Sequence, residues 1–246
     1  MHRQNCENKK FFKALILSSD VYDESVQKLK ELGIEVIWSF ENKSVSPYLS
    51  KHVDMQLVKI TDKCYICSPE CFDYYKKIFS HFNINLISGD TYLSSNYPGD
   101  IAYNIVIGER YAVHNFKYTD SILKESLTNK TFVDVSQGYC RCTLCCLPSE
   151  SYITSDEGIV KSLSAHKDIS MLKISQGNVL LNGFSYGFFG GASFMIGPRC
   201  LAVNGDITTH PECDKILDFC TKKNVEVLSL SPKNVLMDIG SAVSIV

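Results

Sequence analysis

The sequence predicts a five-bladed α/β-propeller, a closed ring of strand–strand–helix–strand units, and two observations support this fold class. The first is a unit that occurs four times: an apolar strand, a three-residue turn, a second strand of four residues, a helix and a closing strand. The second is a fifth unit that is split between the two ends of the chain. Repeats of a few tens of residues are typical of propellers and solenoids, and split ends favour a closed ring.

The four complete units are recognised by their hairpins. Their three-residue turns are Thr61-Asp62-Lys63, Gly108-Glu109-Arg110, Pro148-Ser149-Glu150 and Gly197-Pro198-Arg199. The strands that directly follow these turns read CYIC, YAVH, SYIT and CLAV. The helices of these units are expected to start at Ser68, Thr119, Ser155 and the segment 209–211, because hydroxyl side chains accept the free N–H groups of a first turn. Apolar residues at spacings of three and four then predict one buried face per helix.

The fifth unit predicts how the ring closes. Residues 15–40 hold a strand, a helix and a closing strand, and they lack the first strand of a unit. The last five residues, 242–246, are strand-like and supply it, so we predict that they pair with the strand at 14–17. Pairing of the two ends removes sheet edges that would otherwise favour aggregation. Residues 13–246 are therefore predicted to form one domain, preceded by a frayed segment at 1–12.

The composition excludes several classes of protein. The chain has 246 residues, 45% of them hydrophobic, so it can bury a large core, and its net charge of −2 with no basic stripe argues against nucleic acid as a partner. No apolar run reaches the ~18 residues of a membrane span, and the N-terminus lacks the apolar middle of a signal peptide. We expect a cytoplasmic protein without a cofactor. The oligomeric state is left open.

Eleven cysteines are the most prominent chemical feature. Four of them crowd into YCRCTLCCL at 139–147, and three lie in CYICSPEC at 64–71. Cys64 and Cys67 lie at opposite ends of a predicted strand, and Cys145 and Cys146 face opposite sides of another, which is poor geometry for a zinc knuckle. We therefore expect no metal site, and most of these residues are predicted to be reduced thiols in the core.

In a ring of such units, the segment just before each hairpin points toward the central axis. Aligned by their turns, these inner segments are 52–54, 98–100, 137–142, 188–191 and 238–241. Their matching positions hold Asp54, Asp100, Cys142, Gly191 and Asp238, which predicts an axial pocket with carboxylates, a thiol and a gap lined by glycine. Clustered carboxylates are costly unless they bind a cation or share protons. The alternative is that each aspartate only caps its own loop.

With these features the sequence resembles the pentein, or guanidino-group-modifying, superfamily, over about residues 13–246. The superfamily includes arginine deiminases, dimethylarginine hydrolases, amidinotransferases and a non-catalytic ribosome-binding initiation factor. The phrases QGY-x-x-C, ITSDEGI, GFFGGAS, NGDITTHP and DIGSA resemble an uncharacterised bacterial branch of it. The resemblance implies a propeller with its ligand on the axis and a small cationic molecule of the guanidino type as partner.

The catalytic pattern of the superfamily carries over only in part. Pentein enzymes use a cysteine near the C-terminus, where this chain has Asp238-Ile239-Gly240-Ser241. They also use a His-x-Asp pair, whose form matches His52-Val53-Asp54 in an earlier unit. The resemblance implies Cys142 as a relocated nucleophile, with His210 or His52 as the base. The expected ligand-binding residues are Asp54, Asp100, Asn104, Gln137, Gly190, Gly191, Asp238 and Ser241.

Three functions fit these residues. The first is a cysteine-dependent hydrolase or transferase acting on a guanidino or amidino compound, in which Cys142 should be the most reactive thiol near neutral pH. The second is a non-catalytic sensor or carrier that uses the same acidic pocket. The third is a protein-interaction ring like the initiation factor. For His210 a purely local role at a helix start is the competing interpretation.

Overall fold

The computed structural model describes residues 10–246, and in this part of the chain fifteen strands form five three-stranded sheets. Each sheet is one blade, and its three strands are consecutive in the chain except in the blade that joins the two ends. The strands are β1 (Ala14–Leu17), β2 (Glu35–Trp38), β3 (Leu57–Thr61), β4 (Cys64–Cys67), β5 (Asn85–Ser88), β6 (Val106–Ile107), β7 (Tyr111–His114), β8 (Thr131–Asp134), β9 (Leu144–Leu147), β10 (Ser151–Thr154), β11 (Ser170–Lys173), β12 (Ser193–Gly197), β13 (Cys200–Val203), β14 (Glu226–Ser229) and β15 (Ala242–Ile245).

All five sheets have the same topology. The central strand pairs antiparallel with the strand before its hairpin and parallel with the closing strand that follows the helix, as β4 does with β3 and β5. The strands CYIC, YAVH, SYIT and CLAV are the central strands β4, β7, β10 and β13, as predicted. The parallel pairing explains why these four strands are buried on both faces and read as apolar runs.

The two ends of the chain close the ring, which confirms the predicted pairing. Strand β15 runs antiparallel to β1, with Ala242 opposite Leu17 and Ile245 opposite Ala14. The fifth blade is therefore the sheet β15-β1-β2. The chain starts with the second strand of this blade and finishes with its first, so the two terminal strands pair with each other.

Alternate residues of each central strand fill the space between blades. In β1, Leu15 and Leu17 pack toward the last blade with Ala202, whereas Ala14 and Ile16 pack toward the next blade. Five such clusters of buried apolar residues each join two neighbouring blades, and one of them joins the last blade to the first. A period of two places successive side chains on opposite faces, so one strand serves two interfaces. These five layers form the core of the ring.

The helices connect the central strand of each blade to its closing strand. They are α1 (Asp23–Glu31), α2 (Phe72–Phe79), α3 (Ser121–Glu125), α5 (Glu157–Leu163) and α6 (Cys213–Lys222), with α4 (Cys140–Thr143) as a separate single turn. Short 3₁₀ helices are Val53–Met55, Pro69–Cys71, Ser80–Phe82 and Ile207–Thr209.

Several predicted helix starts were displaced by a residue or more. Asp120 caps α3 and Asp156 caps α5, each accepting a hydrogen bond from a first-turn N–H, instead of Thr119 and Ser155. The aspartate is the N-cap in both helices because it lies one residue after the hydroxyl residue, where its carboxylate can accept from the free N–H groups of the first turn. Helix α1 begins after Tyr22. Gly33 follows it in a left-handed conformation, with φ of 77°.

The expected N-terminal segment 1–12 falls mostly on residues 1–9, which lie outside the described residues. Phe11 and Phe12 pack against the cluster between the first and last blades, and the Phe12 N–H donates to the Ile196 carbonyl at 2.9 Å. Phe11 and Phe12 therefore contact the ring directly before the predicted start of the domain at residue 13. In the described part of the chain, no helix is long and apolar enough to span a bilayer.

Candidate functional site

The site lies at one end of the ring axis, where the segments that precede the first strands converge. A cavity of about 280 Å³ opens there. Its floor is formed by His52, Cys142 and Asp238, which come from the inner segments of three different blades. Its walls are apolar and aromatic, and include Leu49, Leu181 and Phe188. The convergence of non-consecutive segments is a direct result of the ring topology.

Cys142 is held at the floor by two polar neighbours. Its Sγ donates to Asp54 Oδ2 at 3.0 Å and accepts from Asn104 Nδ2 at 3.2 Å. Residues 140–143 form the helical turn α4. The turn separates Cys140 from Cys142: Cys140 packs in the layer between two blades, while Cys142 belongs to the small cluster around the cavity.

Asn104 organises the surroundings of the thiol. Its amide nitrogen also lies 3.2 Å from the Asp54 backbone carbonyl, and its Oδ1 accepts the Arg141 N–H at 2.7 Å. One fully buried amide thus connects the segment that carries Asp54 to the turn that carries Cys142. A buried amide that uses its donor and acceptor in this way fixes the relative position of both segments.

His52 lies beside this pair. One ligand atom each from His52, Asp54 and Cys142 fall within 4.8 Å of one another, and all three residues are buried. Neither His52 Nδ1 nor Asp54 Oδ1 has a hydrogen-bond partner in the described part of the chain. Buried polar atoms without partners are uncommon and usually mark a place for water, an ion or a ligand. Nitrogen, oxygen and sulfur at this spacing could also ligate a transition metal, so the expected absence of a metal stays a prediction.

Asp238 forms the other acidic part of the floor. Its carboxylate accepts the Phe188 N–H and the Gly240 N–H, both at 2.9 Å. Gly191 lies directly against this carboxylate, and a side chain at position 191 would overlap it. The Gly191 N–H donates to the Cys142 carbonyl at 2.7 Å. The glycine therefore permits a close approach of Asp238 to the turn that carries the thiol, rather than the open gap predicted for it.

The electrostatics of the floor favour neutral side chains. Burial, with Asp54 and Asp238 nearby, raises the pKa of the Cys142 thiol well above its ordinary value. Burial also raises the pKa of Asp54, raises that of Asp238 to about 6 and lowers that of His52. The nearby cation is Arg141, which lowers the pKa of Asp54, but its effect is smaller than that of burial. The raised pKa of Cys142 predicts slow labelling in the ligand-free protein, contrary to the expectation that it is the most reactive thiol.

A second cavity of about 210 Å³ lies on the opposite side of the Asp54–Cys142 pair. It follows the axis between the first strands of all five blades, which contribute Lys59, Ile107, Cys146, Met195 and Ser244. Asp54 and Arg141 also line it. Arg141 donates from Nη2 to Ser241 Oγ at 2.6 Å, and its buried Nη1 has no partner in the described part of the chain.

Other expected site residues lie further from the thiol. Asp100 accepts a hydrogen bond from Tyr139 Oη at 2.6 Å, so it supports a wall of the cavity rather than its floor. Gln137 donates to Asp156, the cap of α5. His210 Nδ1 accepts the Glu212 N–H at 3.1 Å, and its ring packs edge-on against Phe189, which is the local role considered for it. Gly190 packs against the carbonyls of Arg141 and Cys142.

Comparison with solved structures shows that the chain has the pentein fold. The amidinotransferase SxtG of the saxitoxin biosynthetic pathway of Microseira wollei aligns with a TM-score of 0.56 and 9% identity, over 92% of each chain. An agmatine deiminase from C. jejuni aligns at 0.55 and 11%, over 94% of this chain and 93% of that one. DDAH from Pseudomonas aeruginosa, complexed with citrulline, aligns at 0.53 and 10%, over 90% and 93%. At such identities the likeness establishes the fold alone.

The chain belongs to the family of unknown function DUF6873, whose model matches residues 16–243. A search of curated protein sequences finds no match.

Sequence reasoning missed the residues that shape the cavity. Tyr139, Leu181 and Phe188 line it, and Met55 packs beneath it, yet apolar residues in loops give no pattern that distinguishes a cavity wall from ordinary core. Arg141 was also missed, although a single arginine between two cysteines in an inner segment is a signal that could have been used.

Proposed function

We propose that this protein is a cysteine-dependent pentein enzyme that acts on a guanidino or amidino compound, with Cys142 as the nucleophile. The observation that carries the proposal is the meeting of Cys142 Sγ, Asp54 and His52 within 4.8 Å at the end of the axis. A thiol, an imidazole and carboxylates are the groups that attack on an amidine carbon requires. The shared fold with amidinotransferases and deiminases supports it.

Asp54 and Asp238 are assigned to the cationic head of the substrate. Both carboxylates are buried, and Asp54 Oδ1 has no partner in the described part of the chain. A guanidinium offers paired N–H donors in a fixed plane, which suits carboxylates better than an ammonium does. Binding of this cation would offset the negative charge that raises the pKa of Cys142. Substrate binding would thus favour the thiolate in the complex.

In the first step, the Cys142 sulfur forms a bond to the central carbon of the guanidinium. The thiol proton, which is donated to Asp54 in the ligand-free protein, passes to His52, whose lowered pKa keeps the ring neutral and able to accept it. The tetrahedral adduct then collapses, the carbon–nitrogen bond to the leaving amine breaks, and His52 returns its proton to that nitrogen. Water hydrolyses the remaining amidino–sulfur intermediate to a urea and regenerates the thiol, or an amine accepts the amidino group.

The test is turnover of a panel of guanidines and amidines, with and without an added primary amine. The wild type should release amine or ammonia, Cys142→Ser should not, and His52→Gln should slow release by about 10²–10⁴-fold. Cys213→Ser is the matched control, because Cys213 lies on the outer helix α6 and is half-buried. A covalent adduct on the Cys142 peptide in mass spectrometry would identify the nucleophile directly. Turnover unaffected in Cys142→Ser would contradict the assignment.

A non-catalytic binder is the second candidate, and one observation favours it. The Cys142 thiol of the ligand-free protein is protonated at neutral pH, since burial and two carboxylates raise its pKa. A sensor or carrier would bind the same cations equally well in the wild type and in Cys142→Ser, with no product formed. The two candidates are separated by alkylation: a reagent with an amidinium head should label Cys142 far faster than neutral iodoacetamide if a bound cation activates the thiol.

A further inference from the structure

We propose that the ligand of this site carries an uncharged, apolar tail, such as an alkyl or aryl group, and is not an amino acid; this inference rests on the proposed function and specifies its substrate class. The chemistry of the cavity beyond its floor is the basis. Above the level of Cys142, the walls are aromatic or aliphatic apart from Ser185, and consist of Leu49, Leu181, Phe184, Tyr139, Tyr186 and Phe188. The ionisable groups of the floor are acidic or neutral.

A carboxylate on the ligand would meet an unfavourable environment there. The tail of a guanidine whose head lies on the floor, beside Asp238 and Cys142, must pass along these walls. An α-carboxylate at the end of an arginine-like tail would lose water beside leucine and phenylalanine, in a cavity whose floor already holds the Asp238 carboxylate. Among the residues that line the described cavity, His52 is the one basic side chain, and burial lowers its pKa. The free energy needed to bury an unpaired carboxylate there is larger than the free energy gained from contacts of the aliphatic tail with the walls.

The aromatic wall is built into the fold rather than loosely attached. The segment that carries Leu181 and Phe184 is tied to the floor, since the Asp238 N–H donates to the Leu180 carbonyl at 2.8 Å. Phe184 packs edge-on against Tyr48, with 6.1 Å between ring centroids. Gly183, with φ of 78°, lies flat on the Tyr48 ring, where any side chain would overlap it. The wall is therefore preformed, so an apolar tail binds it without ordering a loop.

The volume fits the same kind of ligand. About 280 Å³ is near the lower end of the range typical of small-molecule pockets. Phe184 is 48% exposed and stands where the cavity meets solvent. A flat or extended hydrocarbon tail of a few carbons would be covered from the floor to this ring. Aromatic faces also attract the cationic head as it enters, which favours a guanidinium over a neutral compound.

The experiment compares three probes by titration in calorimetry or ligand-observed NMR: methylguanidine as the head alone, phenethylguanidine as head plus apolar tail, and arginine. Phenethylguanidine should bind at least about tenfold more tightly than methylguanidine, because its tail buries apolar surface. Arginine should bind no more tightly than methylguanidine. If arginine binds as well as phenethylguanidine, the tail inference is overturned while the guanidinium site stands. If methylguanidine and the other two all fail to bind, the proposed function and this inference fall together.

A substitution at the mouth sharpens the test. Phe184→Arg should lower the affinity for phenethylguanidine and raise that for arginine by about tenfold, because it supplies a partner for the carboxylate. The side chain is half exposed, so the fold should tolerate the change. Tyr92→Arg is the matched control, since Tyr92 is an aromatic residue that is 72% exposed and lies outside the cavity lining. Equal effects of both substitutions would show a general charge effect and overturn the assignment of the wall.

Discussion

Between neighbouring blades the side chains are apolar and form five similar layers, whereas at the axis five non-equivalent segments bring polar groups together. The blade interfaces use the alternation of each central strand, so they repeat with the unit. The axis contains His52, Asp54 and Arg141, each with a buried atom that lacks a partner in the described part of the chain. The repeated part of each unit supplies stability, and the residues that differ between units supply the chemistry.

The residue proposed as the nucleophile illustrates this division. The resemblance seen in the sequence implies a cysteine in the last inner segment, where this chain has Asp238 and Ser241. Cys142 lies in another inner segment of the same ring. Because the five inner segments converge at the axis, side chains from more than one of them reach the same cavity. The ring therefore permits a site to be rebuilt from different blades without a change of fold.

The largest expected effect concerns ring closure. Deleting residues 242–246 removes β15 and its four pairs with β1, and it exposes the apolar residues beneath them. Both losses predict a fall of several kcal/mol in the free energy of unfolding, measured by urea denaturation. Deletion of Val246 alone, which lies beyond β15 and is 38% exposed, is the control. A truncated protein with the same midpoint as the control would contradict the importance of closure.

A substitution within a blade interface should be next in size. Leu201 is fully buried between the last two blades, so Leu201→Ala should cost about 2–5 kcal/mol of stability through lost burial and a cavity. The affinity of the remaining folded protein for a guanidinium should not change. Leu180→Ala serves for comparison, since this leucine is 44% exposed. Loss of affinity in Leu201→Ala at temperatures where it is folded would mean that interface and axis are coupled.

A substitution at the axis should have the opposite pattern of effects, with lower ligand affinity and unchanged stability. Asp54→Asn should weaken guanidinium binding by about 1–3 kcal/mol, as expected for a charge-assisted hydrogen bond in a partly dry site. The stability of the ligand-free protein should stay the same or rise, because burial makes the charged form of Asp54 unfavourable. Asp218→Asn, on the exposed face of α6, is the control for loss of one negative charge. A lower melting temperature with unchanged affinity would instead assign Asp54 to capping its own loop.

The smallest expected effect is the pH dependence of binding. The pKa of Asp238 is raised to about 6, so its carboxylate is mostly protonated at pH 5 and ionised at pH 7. Affinity for a guanidinium should rise as the pH passes through 6 and level off above it. Because one proton is released, the rise should be at most tenfold per pH unit. Protonation of His52 at low pH acts in the same direction. Calorimetric titration between pH 5 and 8 should give this curve, and Asp238→Asn should flatten it.

The effect of Asp238 on folding stability changes with pH in the opposite direction to its effect on ligand affinity. Its pKa in the folded protein lies above the ordinary 3.8, so the folded state holds the proton more tightly than the unfolded chain does. The stability that this group contributes is fully present below the ordinary value and is lost as the pH rises through about 6. The ligand-free protein should therefore lose stability, because of Asp238, over the same pH interval in which its affinity for the ligand increases.

The binding measurement also has an outcome that would contradict the proposal. An affinity for guanidinium that is independent of pH would mean that Asp238 does not bind the cation.

The regular part of the fold could be read from the chain. The turns, the four central strands, the split unit and the closing pair at 242–245 were all predicted, because each depends on local turn chemistry, alternation or apolar spacing. The helix starts were less accurate, since Asp120 and Asp156 compete with neighbouring hydroxyl groups for the same N–H groups. Which residue caps the helix depends on how the chain leaves the preceding strand, and a difference of one residue there changes the cap.

The site followed from the sequence only in outline. Alignment of the inner segments predicted that Asp54, Cys142 and Asp238 lie near the axis, and they do. The same alignment could not separate them from Asp100. The position of a residue in the repeat predicts that its side chain faces the axis, but not whether it reaches the floor of the cavity. Whether His52 or His210 lies beside Cys142 was likewise left open, since the two stand in different units.

What the sequence determined by itself was the unit, its number and the closure of the ring, since these follow from periodicity and turn residues along the chain. The tertiary structure alone decided which side chains meet at the axis. The distance of Cys142 from Asp54, the helical turn at 140–143, the place of Tyr139 between Asp100 and the cavity, and the apolar wall with Phe184 all depend on packing between segments far apart in the chain. The physical reason is that burial and pairing depend on all neighbours at once, whereas periodicity is a property of one strand or one helix.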